Sequence, residues 1–170
     1  MNSGLPAEVL RLHDIDIEQA RQLLGLFGLQ LTLVPDDEVI PGSYWGESEA
    51  GLIGATVFAR RDTPVHSLLH ESCHLIVLTP EKRASIHTDA SDSIAEEDAT
   101  CYLQLLLANA IEGFGFERAC HDMDLWGYSF RLGSAKAWFE NDAEDAAAFL
   151  RERQIWPLSS MPTLLSTCQA

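Results

Sequence analysis

The sequence predicts an α+β fold: a single domain over 1–170 in which a small mixed β-sheet packs on a central helix and on a second, longer one. Three observations predict it. Leu29-Gln30-Leu31-Thr32-Leu33-Val34 alternates with the period of a half-buried strand, and Gly51 to Arg60 is a second extended, apolar stretch. The stretches from Pro64 to Leu78 and from Ile94 to Ile111 instead carry apolar residues at helical spacing. Third, 170 residues with an apolar fraction of 46% suffice to enclose a core.

Along the chain, helical spacing begins at Ile17, and Gly28 is placed to close that helix. Asp36-Asp37-Glu38 reads as a solvated loop. Ser43-Tyr44-Trp45-Gly46 and Gly51 to Arg60 read as the arms of a hairpin joined through Glu47-Ser48-Glu49-Ala50. The second arm ends just before the central helix. It is either the lip of a cleft, open to strand addition by an extended peptide, or an ordinary sheet strand. Thr63 suits an N-cap and Pro64 the first helical position, and Thr79-Pro80 stops the helix. Glu81 to Ala90 reads as a polar loop. Ser91-Asp92-Ser93 offers caps for the long helix, which Gly113-Phe114-Gly115 breaks. One further helical region is expected around Ala135 to Arg153, then an irregular tail with Pro157 and Pro162.

Composition narrows the partners. Net charge is −15, and no Lys/Arg-rich run is present to hold a phosphate backbone, so no nucleic-acid partner is expected. No basic-then-apolar leader opens the chain and no apolar run approaches the ~20 residues of a membrane helix, so a soluble, cytoplasmic protein is expected. Cys73, Cys101, Cys120 and Cys168 form no C-x-x-C pair and read as reduced, buried and inert thiols.

The central helix carries His70-Glu71-Ser72-Cys73-His74, an H-E-x-x-H pattern. Residues four apart stand on one helical face, so His70 and His74 can converge on one zinc ion at about 2.0–2.1 Å. Glu71 projects toward the same cleft without being a ligand, placed to take a proton from a metal-bound water. His66, one further turn back, reads as a first-turn surface residue. A catalytic zinc wants a third protein ligand and an open position. The candidates are Glu96 and Glu97. Glu96 shares a face with Thr100, Leu103 and Leu107, the more apolar side, whereas Glu97 shares one with Cys101, Gln104 and Ala108. Glu96 is therefore the choice and Glu97 the second. A capping box, Ser93-x-x-Glu96, is the competing use of Glu96.

His70-Glu71-x-x-His74 followed by Glu96-x-x-Ala99-Thr100 resembles the gluzincin pattern, most of all that of the compact ImmA/IrrE-type metallopeptidases, over roughly 51–107. The resemblance implies a zincin-like fold and zinc-dependent peptide hydrolysis, with one zinc per chain. His70, His74 and Glu96 would be the ligands, Glu71 the base, and a peptide or protein the substrate. Thr100 departs from the acidic or amide residue expected to support a ligand histidine, although its hydroxyl can still bond an imidazole. Tyr102, His121, Tyr128 and Arg131 are candidate donors to a developing oxyanion, and Trp126 to Phe130 reads as core or a lid. The alternative function keeps the zinc without turnover, as a binding module. A di-iron protein would need a second E-x-x-H, which the other acidic helix lacks.

Overall fold

The structure is a computed structural model that describes residues 6–43, 48–88 and 93–155. Seven α-helices and three strands are built from them. Helix α1 (Ile17–Leu26) is capped by Asp16, whose carboxylate accepts the Glu18 amide, and ends before Gly28 at φ +77. Strand β1 (Gln30–Leu33) follows, as the alternation requires.

The segment from Gly51 to Arg60 is not one strand. It folds into its own hairpin, β2 (Gly51–Ile53) and β3 (Thr56–Ala59), turned by Gly54 at φ +60. The expected first arm falls partly on residues 44–47, outside the described residues. Gly51 has its own reason: a Cβ there would lie 2.0 Å from the Pro41 carbonyl oxygen. The sheet order is β1-β3-β2, with β3 parallel to β1 and antiparallel to β2. Strand β3 is thus the middle strand and offers no free edge. The outer side of β2 is also occupied, by Gly54 N–H to Ile86 O (2.8 Å) and Thr88 N–H to Leu52 O (2.9 Å). Of the two readings of this stretch, an ordinary sheet strand is the one observed.

Helix α2 (Val65–Val77) packs on β3 and runs through the centre of the molecule. Pro64, not Thr63, occupies the cap position; the Thr63 hydroxyl accepts the Arg60 amide instead (2.9 Å). The other end is closed by an arginine. Arg83 donates to the carbonyls of Leu75, Ile76 and Phe27, meeting helix-end oxygens with a cation. Arg83 ends a short helix, α3 (Pro80–Arg83), within the expected polar loop.

Helix α4 (Ile94–Leu107) begins at Ser93, whose Oγ accepts the Glu96 amide at 3.1 Å. The cap therefore lies at Ser93, as the capping-box reading requires; Ser91 and Asp92 lie outside the described residues. Helix α4 packs against α2, α5 and α7 and is buried around most of its circumference. The chain then forms α5 (Gly115–Trp126), which the sequence reading missed, α6 (Ala135–Asn141) and α7 (Glu144–Glu152). The single helical region expected from Ala135 to Arg153 is split at Asp142 and Ala143. The Pro157/Pro162 tail lies outside the described residues. Among the described residues, no helix is long and apolar enough to cross a membrane.

Candidate metal centre

The centre lies in the seam between α2 and α4. One turn of α2 separates His70 from His74, and their Nε2 atoms stand 3.1 Å apart. The carboxylate that meets them belongs to Glu97: Oε1 is 3.1 Å from His70 Nε2 and Oε2 is 3.2 Å from His74 Nε2. Glu96 is buried at the first turn of α4 and joins neither group of potential ligands. The preference for Glu96 is corrected here. Its premise was that the more apolar face of α4 looks at α2, but α4 is enclosed by α7 and α5 as well. The stripe Glu97, Cys101, Gln104 brings the carboxylate to the histidines, while from the Glu96 face Thr100 reaches His74 Nδ1.

The outer ring nitrogens are fixed by α4. Gln104 donates from Nε2 to the His66 carbonyl (2.9 Å), which leaves its Oε1 to accept from His70 Nδ1–H (2.9 Å). Thr100 donates its hydroxyl proton to the Glu96 carbonyl (2.8 Å), so its oxygen can only accept from His74 Nδ1–H, at 3.4 Å. Both histidines are thereby held with Nδ1 protonated and an Nε2 lone pair facing inward. Two nitrogen lone pairs and a carboxylate at 3.1–3.2 Å repel one another unless a cation joins them. Such donors fit zinc, which takes imidazole and carboxylate ligands.

The electrostatics show the same demand. Burial pulls the His70 imidazole down, but Tyr128, Cys101 and Glu97 outweigh it and hold it well above its usual value. Burial likewise opposes the Glu97 carboxylate, yet the two imidazoles hold it well below the usual carboxylate range. Glu71 is the third acid. A carboxylate oxygen of Glu71 and a ring nitrogen of each histidine lie within 4.8 Å of one another, and burial raises its pKa against the pull of His70 and His74.

Cys101 is buried as expected, but it is not remote. Its Sγ lies 4.0 Å from Glu97 Oε1, and Cys101, His70 and Glu97 form a second group with potential ligand atoms within 4.8 Å. Cys73 and Cys120 are buried free thiols, and Cys168 lies outside the described residues. His66 is not a surface residue. It is fully buried, its Nδ1 stands 3.2 Å from the Tyr128 hydroxyl, and its ring packs on Trp126 and Tyr128. Tyr128 also meets His70 edge-on at 5.3 Å. Trp126 to Phe130 thus walls the site, with Trp126 Nε1 bonded to Glu49 (2.8 Å) and Phe130 stacked on Tyr128.

Sequence reading missed Gln104 as a support. Its signal is the spacing of seven from Glu97, two turns along one helical stripe. No family model, no curated protein and no solved structure matches the chain.

Proposed function

We propose that the chain is a zinc-dependent metallopeptidase that holds one zinc ion through His70, His74 and Glu97 and uses Glu71 as its base. The observation that carries the reading is the convergence of two inward imidazole lone pairs and the Glu97 carboxylate at 3.1–3.2 Å. Zinc bound there would supply a Lewis acid for a peptide carbonyl and lower the pKa of a water toward 7. Glu71 takes the proton of the attacking water and passes it to the departing amine. Gln104 and Thr100 keep both imidazoles in the tautomer that leaves Nε2 free. The free thiols at Cys73, Cys101 and Cys120 suit a reducing compartment, consistent with a cytoplasmic enzyme.

Substitution Glu71→Gln tests this. Peptide cleavage on an unstructured peptide pool should fall by about 10²–10⁴-fold, the usual contribution of a general base, at unchanged zinc content. Equal activity of the two proteins at equal zinc loading would refute the mechanism. The second reading, a zinc-binding module without turnover, draws on Cys101. A thiol beside His70 and Glu97 is a fourth protein donor, and four protein ligands make a closed, structural site. A fully zinc-loaded chain that cleaves no peptide, and that loses zinc affinity on Cys101→Ala, would favour that module.

A further inference from the structure

Glu71, zinc and the ligands leave the substrate's carbonyl oxygen without a donor from the protein, and the structure sorts the four side chains that might serve. Tyr102 stacks on Phe139 at 4.5 Å. His121 bonds the Pro6 carbonyl at 2.7 Å, and Arg131 is paired with Asp142 at 2.6 Å. Tyr128 alone of the four packs against His70.

The direction of its hydrogen bond follows from His66. Among the described residues, His66 Nε2 is the one buried side-chain nitrogen or oxygen with no partner. If the Tyr128 hydroxyl donated to His66 Nδ1, then Nε2 would carry a buried N–H with nothing to accept it. Orphaned buried donors are the rarer and costlier case. With the proton on Nδ1, His66 donates to the tyrosine oxygen and only a lone pair at Nε2 goes unmet. The Tyr128 proton is then free. The ring itself is held in place: Gly127 ends α5 at φ +103, the Tyr128 amide donates to Met123 O (3.0 Å), and Phe130 stacks at 6.2 Å.

We propose that Tyr128 is a catalytic hydrogen-bond donor to the substrate carbonyl oxygen as negative charge builds on it, and that His66 is the positioning residue that turns the hydroxyl toward the substrate. This rests on the metallopeptidase reading but is tested partly without turnover. Donation to a charged oxygen exceeds donation to a neutral one, so the contact favours the charged state.

The experiment loads the chain with cobalt(II) and titrates methylphosphonate, a tetrahedral oxyanion, by the visible absorption of the metal. Tyr128→Phe should weaken methylphosphonate binding about 10–100-fold, the worth of one charge-assisted hydrogen bond, at unchanged cobalt stoichiometry. On peptide, kcat should fall by about 10²–10³-fold with KM near that of the parent chain. His66→Phe should weaken binding in the parent and add nothing in the Tyr128→Phe background. Equal methylphosphonate affinity in Tyr128→Phe and the parent would overturn the donor role, and additive losses would overturn that of His66. Tyr128-dependent binding in a chain that cleaves no peptide would uphold the oxyanion site while overturning the peptidase. A chain that takes up no cobalt would overturn both.

Discussion

Two carboxylates, Asp122 on α5 and the part-exposed Glu97 on α4, are held on opposite principles. Asp122 has no exposed surface, and the chain meets both of its oxygens: the Leu10 amide donates at 2.8 Å and the Arg118 guanidinium at 2.8 Å. Its charge is balanced by an arginine four residues back on the same helix. Glu97 faces two imidazoles whose Nδ1 protons are already committed to Gln104 and Thr100. The first centre is electrically complete. The second gathers acceptors at one point. The difference teaches that a buried acid need not be a site; what marks one is a set of potential ligand atoms converging on a single point.

The sharpest test removes each carboxylate in turn. Glu97→Ala should abolish stoichiometric zinc binding, a loss beyond the roughly 10–100-fold that removal of a supporting residue costs. Glu96→Ala should keep one zinc per chain by elemental analysis. Zinc retained in Glu97→Ala and lost in Glu96→Ala would reverse the assignment. Asp122→Ala should instead cost about 3 kcal/mol of stability in denaturant unfolding, because it strands a charge and an amide, with zinc stoichiometry unchanged. A zinc loss there, at full folding, would blur the contrast between the two centres.

Removing the support comes next. Gln104→Leu unpins His70 Nδ1, and zinc affinity by competition with a chelator should fall about 10–100-fold. An unchanged affinity would show that packing alone sets the ring. The smallest effect is expected at His66. Burial holds its pKa down at about 3, against 6.5 for an ordinary histidine. The unfolded chain therefore binds the extra proton first, and stability is full above pH 6.5 and declines as pH falls toward 3. By pH 5 this group should cost about 1–2 kcal/mol. His66→Phe should erase that portion of the acid sensitivity in unfolding curves measured at pH 7 and pH 5, and curves that stay parallel would show that His66 does not contribute.

Legibility in the sequence followed the range of the interaction. Ile17 and Gly28 bound α1 where local signals put them, and within the alternating stretch Leu29 to Val34 the strand is Gln30–Leu33. The failures share a cause. His66 reads as a first-turn surface residue because, two turns from His74, it cannot share that residue's ion, whereas Trp126 and Tyr128, sixty residues on, cover it. Helix α5 carries Arg118, Asp122 and Asp124 among its apolar residues, and its polar interior hid a helix that the buried Arg118–Asp122 pair makes possible.

What the sequence by itself determined is the local geometry: a helix that puts His70 and His74 on one face with Glu71 beside them, and a second acidic helix begun at a serine cap. These follow from spacing along a single backbone. Tertiary structure alone decided which acid meets the histidines. Neighbouring residues of a helix differ by about 100° around its axis, so Glu96 and Glu97 cannot both face α2. The rotation of α4 is set by the joint packing of α2, α5 and α7 around it, which no periodicity within α4 encodes. The same packing brings Gln104 under His70 and Tyr128 against it, contacts that span thirty-four residues in the first case and fifty-eight in the second.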